Sequence, residues 1–140
     1  MMRLIIAALI VAVVCWAANA RDLGQWENVD PAVAAWYGKL KQPDNGYSCC
    51  GMGDAYEADK AEVKDGKVIA TITDQREDAP LMRFHVPPGT RYIIPPEKIT
   101  RVDGNPTGHV IIFLGAINWL NGSADPKTRP VLCYVMNAGT

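Results

Sequence analysis

The chain has 140 residues, 14 basic and 15 acidic side chains, and a formal net charge of −1 at pH 7. Charge of both signs is mixed along the sequence, and no run of Lys and Arg forms the basic patch that nucleic acid or an anionic membrane surface would need. The composition therefore gives no support for a nucleic-acid-binding protein, and it predicts a single domain with room for a hydrophobic core.

The first twenty residues have the three parts of a secretory signal peptide. Arg3 lies in a short charged start, residues 4–18 are apolar, and Ala18-Asn19-Ala20 forms an A-x-A cleavage pattern. An apolar run of about 15 residues is shorter than the roughly 20 that a spanning helix needs, so a membrane anchor is the weaker interpretation. We predict a signal peptide at 1–20, one disulfide-stabilised domain at 21–140, a periplasmic or secreted location, and no membrane span after cleavage.

The first element predicted in the mature chain is a helix. Asp30-Pro31 is a strong helix start, because Asp can cap free backbone N–H groups and Pro is tolerated at the first helical position. An apolar face follows at i, i+3, i+4 and i+7, made by Val33, Trp36, Tyr37 and Leu40. Turn-forming residues at 43–46 end the helix and lead to the adjacent cysteines Cys49 and Cys50.

The rest of the chain predicts short strands separated by turns. Lys64-Asp65-Gly66-Lys67 predicts a hairpin, because Asp-Gly readily takes the positive φ values of tight hairpin turns. Strands are predicted at 56–63, 67–73, 82–86, 91–94, 109–114 and 131–136, residues 99–102 could add a few paired residues, and the charged segment 74–80 predicts an exposed loop. We predict an α+β, mainly β fold, in which one N-terminal helix packs on a curled antiparallel sheet or small barrel of about six short strands.

Three cysteines remain after signal cleavage, namely Cys49, Cys50 and Cys133. An exported chain can form disulfides, and an odd number leaves one thiol unpaired. A bridge between the adjacent cysteines would strain the peptide between them, whereas a link to Cys133 closes a loop of about 83 residues and stabilises by roughly 4 to 5 kcal/mol on the chain-entropy model. We favour Cys50 with Cys133, and Cys49 is the alternative partner.

Short motifs follow one another along nearly all of the mature chain. They are Trp36-Tyr37, Leu40, Pro43, Gly46, Ser48-Cys49-Cys50, Asp54, Pro95-Pro96 with Lys98, Asn105-Pro106-Thr107-Gly108 and Cys133-Tyr134-Val135. Together they resemble a family of small exported alphaproteobacterial proteins that are mostly uncharacterised. Many members have two more cysteines, at places that correspond to Ala55 and Phe113, and their joint absence implies that these two positions form a pair. The resemblance implies a fold and an exported location, and no activity.

No catalytic, metal-binding or phosphate-binding motif is complete. Cys49-Cys50 is not a C-x-x-C pair, and His85 and His109 have no zinc-ligand spacing. Gly51-Met52-Gly53-Asp54 lacks the lysine and hydroxyl residue of a phosphate-binding loop and predicts a flexible turn. We therefore predict no cofactor and no metal.

The function predicted from these features is that of a binding or envelope-associated accessory protein, whose ligand is a protein, a peptide or a glycan. An enzyme is the less favoured class. The binding candidates are Tyr47, Cys49, Asp54, His109 and Trp119. The alternative is a small thiol-dependent enzyme or redox protein that uses Cys49 or Cys50, since a neighbouring imidazole could lower the pKa of an unpaired thiol.

Overall fold

The structure is a computed structural model, and it describes residues 29–50, 53–116, 122–123 and 125–137. The predicted signal peptide, Gly51-Met52 and Trp119 lie outside these residues. In the part of the chain that the structure describes, no helix combines the length and the apolar character needed to cross a membrane.

Helix α1 spans Pro31–Lys39, as the sequence predicts. Its first turn is capped by Asp30, whose carboxylate accepts a hydrogen bond from the Ala32 N–H at 2.7 Å. Tyr37 and Leu40 are buried, and the other two residues of the predicted apolar face are partly buried in the same cluster. The predicted face is therefore the one that packs on the protein.

Seven strands within the described residues form two sheets. They are β1 Gly53–Glu57, β2 Lys60–Lys64, β3 Lys67–Thr71, β4 Arg91–Ile94, β5 Ile99–Val102, β6 Ile111–Gly115 and β7 Val131–Asn137. One sheet has the order β1-β6-β7-β5 and the other has the order β2-β3-β4. A second, short helix, α2, spans Asp78–Leu81. The mainly β fold with an N-terminal helix is confirmed, and the sheets are not closed into a barrel.

One ladder departs from the antiparallel prediction, because β5 pairs with β7 in parallel. The chain leaves β5, runs to β6 on the far side of β7, and returns along β7, so β5 and β7 share a direction. The other pairings are antiparallel. The predicted hairpin is present between β2 and β3, where Asp65 and Gly66 have φ values of 51° and 72°.

Two of the predicted strands are not present as single strands in the structure. The segment 56–63 is divided between β1 and β2, because Ala58 and Asp59 turn away and donate their backbone N–H groups to Val110 and Thr73. The segment 82–86 has no strand. It is held by the hydrogen bonds of its Arg83 and Phe84 to other segments, described below, and not by a ladder.

The core has two clusters on the two faces of the four-stranded sheet. Ile112 and Tyr134 face the three-stranded sheet, whereas Phe113 and Cys133 face α1. A register shift between Phe113 and Leu114 places both Leu132 and Cys133 in the cluster on the helix side. Strands β6 and β7 thus form the centre of the protein, and α1 lies over them.

Candidate functional site

The structure joins Cys49 to Cys133, with their Cα atoms 5.8 Å apart and both side chains inaccessible to solvent. The long-range bridge agrees with the sequence prediction, but the prediction that Cys50 is the partner of Cys133 is wrong. The backbone N–H of Cys49 donates to the Leu40 carbonyl at 3.1 Å, which holds this residue in the cluster on the helix side, where Cys133 also lies. Cys50 is a free, half-buried thiol.

A cleft of about 340 Å³ opens beside Cys50. It lies between α1, β1, the segment 76–83 and the turn that precedes β6. Its lining residues are Val29, Val33, Tyr37, Cys50, Gly53, Asp54, Ala55, Glu57, Arg76, Leu81, Arg83, Thr107, His109 and Ile111. The volume is that of a small ligand site, and apolar surface combined with a few polar groups is the usual character of such sites.

The apolar part of the cleft is formed by α1, α2 and β6. Val33, Leu81 and Ile111 contribute aliphatic side chains. Burial raises the pKa of Tyr37 to about 12, so its phenol keeps its proton at neutral pH. The apolar part is therefore uncharged.

A network of charges around Asp74 forms the opposite wall. The Asp74 side chain is 1% exposed and binds Arg76 Nη2 at 2.7 Å and Arg83 Nη1 at 2.6 Å. Burial alone would raise the pKa of Asp74, but hydrogen bonds from Arg76, Arg83 and two backbone N–H groups outweigh it and hold the pKa well below its usual range. Asp74 is thus ionised, and the prediction of an exposed loop at 74–80 is wrong for this residue.

Arg83 fastens this wall to the sheet. Its guanidinium donates to the Ala55 carbonyl at 2.8 Å and to Asp78 at 2.7 Å, and the side chain is 5% exposed. The backbone N–H of Phe84 donates to Asp54 at 3.3 Å. The Arg83 guanidinium therefore takes the hydrogen bond to the Ala55 carbonyl that a neighbouring strand would otherwise make.

A second buried arginine fixes the end of the cleft at Asp54. Arg129 donates to Asp54 Oδ2 at 2.9 Å, to the Tyr56 hydroxyl at 2.8 Å and to the Gly115 carbonyl at 2.6 Å. The guanidinium carbons of Arg83 and Arg129 lie 4.6 Å and 5.6 Å from the centre of the Tyr56 ring. Gly53 and Asp54 therefore belong to an ordered strand, and the flexible turn predicted for them is wrong.

The thiol of Cys50 is poorly suited to nucleophilic chemistry. Burial, together with the negative charge of Asp54, raises its pKa to about 11, so about one thiol in ten thousand is ionised at pH 7. Neither histidine is bonded to it. His109 Nδ1 lies 2.7 Å from Asp59, and His85 Nδ1 lies 2.6 Å from Asp78.

His109 lies at the mouth of the cleft in a small cluster with Glu57 and Asp59. Their ligand atoms lie within 4.8 Å of one another, a spacing that could hold a metal ion. Each side chain already has a partner, because His109 bonds to Asp59 and Glu57 pairs with Arg76 at 3.3 Å. The hydrogen bond to Asp59 raises the pKa of His109, which favours the imidazolium over a neutral metal ligand.

Of the predicted binding residues, the structure brings Asp54 and His109 together in the lining of the cleft. Cys49 is in the disulfide instead, Tyr47 is 64% exposed and does not line the cleft, and Trp119 is outside the described residues. The main charged residues of the wall are not among the predicted site residues; they are Glu57, Arg76 and Arg83. No motif marks them, because short spacings such as that between Asp74 and Arg76 are common on exposed loops and do not indicate that the pair is buried.

Ala55 and Phe113, the pair of positions implied by the resemblance, are direct cross-strand neighbours on β1 and β6.

Searches of protein-family models, of characterised proteins and of solved structures with this chain found no match.

Proposed function

We propose that the protein is an exported binding module, periplasmic or secreted, which holds a small ligand in the cleft beside Cys50. The observation that carries the proposal is the cleft itself, in which an apolar floor meets a wall of charged groups already fixed by one another. Arg83 and Asp54 are each held by several hydrogen bonds, so a ligand would not have to order these side chains when it binds.

Export agrees with the buried disulfide, because disulfides persist mainly in oxidising compartments. It also agrees with the signal-like start of the sequence and with the resemblance to small exported proteins. A binding role in the cell envelope is consistent with the two features of the described residues, a buried disulfide and a cleft of the size of a small ligand.

Binding is favoured over thiol chemistry because of the ionisation of Cys50. A thiol-dependent enzyme needs a thiolate, and burial opposes its formation here. We expect iodoacetamide at pH 7 to alkylate Cys50 more slowly than a simple thiol. Faster alkylation would favour the thiol-dependent enzyme instead.

The cleft can be tested with NMR spectra of ¹⁵N-labelled protein. Short neutral peptides, small apolar amides and monosaccharides would be added in turn, and we expect one class to shift amide signals of residues that line the cleft. Cys50→Phe should fill the cleft and weaken this binding at least tenfold, whereas the matched variant Cys50→Ala should retain it. Binding that Cys50→Phe leaves unchanged, in a folded variant, would place the ligand elsewhere and refute the proposal.

A further inference from the structure

The free edge of β1 lies in the cleft. β1 is the last strand of its sheet and pairs with β6 on one side. On the other side, the Glu57 N–H donates to Asp74 at 3.1 Å, and the Glu57 carbonyl accepts from the Thr73 N–H at 2.9 Å. Because backbone groups on one edge of a strand recur at every second residue, those of Ala55 and Gly53 also point away from β6.

Of the four outward groups of Gly53 and Ala55, three have no partner among the described residues, and two of these, the Gly53 carbonyl and the Ala55 N–H, lie on either side of Asp54. The Ala55 carbonyl accepts from Arg83. Among the described residues, none bonds to the Ala55 N–H or to the Gly53 carbonyl across this edge. Both residues line the cleft. One free carbonyl and one free N–H, two residues apart on a strand edge, match the N–H and C=O of a single residue in a parallel neighbouring strand.

The surroundings indicate what such a neighbour would carry. Residues on either side of the bonded one would point to the same face as Ala55, which is the helix side and contains Val33 and Tyr37. The charged groups of the lining include two carboxylates, Asp54 and Glu57, and two guanidiniums, Arg76 and Arg83, so these four balance. His109 also lines the cleft, and its charge is met by the Asp59 carboxylate to which it is bonded. This balance favours an uncharged ligand with apolar side chains.

We propose that the ligand of the cleft is an extended, uncharged peptide segment that adds to β1 as a short parallel strand, with apolar residues before and after the residue bonded to Gly53 and Ala55. This proposal rests on the proposed function and names its ligand class. The pairing covers one peptide residue, because Arg83 and Asp74 occupy the next positions along the edge.

The test compares two peptides that differ by one methyl group. The parent is acetyl-Leu-Ser-Leu-amide, and the control has the serine nitrogen methylated, which removes the N–H that would bond to the Gly53 carbonyl. Affinities are measured by NMR titration of the full mature chain. We expect methylation to weaken binding by about fivefold or more, the usual effect of losing one hydrogen bond. The Ala55 amide proton should shift downfield and exchange more slowly when the parent peptide binds.

A protein variant gives a second, independent measurement. Ala55→Pro removes the donor, and Pro is tolerated on an edge strand where its nitrogen faces outward. The variant, if folded, should lose the parent peptide and still bind a small apolar amide. If the variant does not fold, the test is the difference in affinity between the parent and the methylated peptide.

Three results would overturn the inference. If the two peptides bound with equal affinity and shifted amide signals of the cleft residues, the cleft would still be a ligand site, but strand addition to β1 would be refuted. Self-association of the protein through β1 would assign the edge to a second copy. No shift in the cleft with any peptide, amide or sugar would remove the proposed function as well.

Discussion

The disulfide between Cys49 and Cys133 is expected to provide a large part of the folding free energy. The two residues are 84 positions apart, and on the chain-entropy model a loop of that length stabilises by about 4 to 5 kcal/mol. Domains of this size are commonly stable by roughly 5 to 15 kcal/mol, so loss of the bridge would remove between about a third and nearly all of the stability. The perturbation is the double variant Cys49→Ala/Cys133→Ala, which removes both sulfur atoms and leaves no new free thiol.

Urea unfolding at pH 7, followed by tryptophan fluorescence and circular dichroism, measures the loss. We expect the double variant to lose about 4 kcal/mol and its melting temperature to fall by about 15 °C. The matched control is Cys50→Ala, which removes a half-buried thiol outside the bridge and should cost about 1 kcal/mol or less.

The opposite pattern would refute the pairing. If Cys50→Ala cost as much as the double variant, the bridge would join Cys50 to Cys133 in solution. If the double variant lost less than about 1 kcal/mol, the long loop would contribute little to the entropy of the unfolded chain.

Two further changes test the packing of β1 and the charge network. Gly53→Ala should cost about 2 kcal/mol, because the added Cβ would lie 2.7 Å from the Leu114 carbonyl oxygen and 2.8 Å from Leu132 Cδ1. Gly38→Ala in α1, with nothing within 4 Å of the new atom, should instead stabilise slightly, and equal effects in urea unfolding would contradict this reasoning. Asp74→Asn should cost about 3 kcal/mol at pH 7, since it removes one of the two carboxylates that pair with the buried guanidinium of Arg83. Because the folded pKa of Asp74 is depressed, its contribution is complete above about pH 5 and is lost as the pH falls, so the difference in unfolding free energy between wild type and variant should narrow from pH 5 to pH 2. A stability difference that stays constant over this range would show that the ionisation of Asp74 does not cause the destabilisation.

Features with local causes could be predicted from the sequence. The start of α1 at Asp30-Pro31 and the β2–β3 turn at Asp65-Gly66 each depend on a cap or a φ value that two adjacent residues determine. No strand forms at 82–86, because the alternation of apolar and polar side chains there does not correspond to a buried and an exposed face of a strand. There the polar residue Arg83 is the buried one, and the apolar Met82 and Phe84 are exposed.

The candidate site could be predicted only in part. Asp54 was identified from its position beside the cysteines, but Asp74 was assigned to an exposed loop. Its arginine partners are near in sequence, but its burial depends on the docking of this segment against β1, where the Glu57 N–H donates to it, and spacing along the chain does not encode that contact. The choice between Cys49 and Cys50 failed for a related reason, since it is decided by a backbone hydrogen bond to Leu40.

The register shift in β7 also controls which changes of length the chain can accept. Val131 packs against the cluster between the sheets, whereas Leu132 and Cys133 both contact the cluster on the helix side. In a regular strand that kept all three residues, Val131 and Cys133 would point to the same face, so the shift is what separates them. Deletion of Leu132 would therefore give a regular strand that keeps Val131 and Cys133 on their present faces, and the loss would be confined to the packing of the Leu132 side chain.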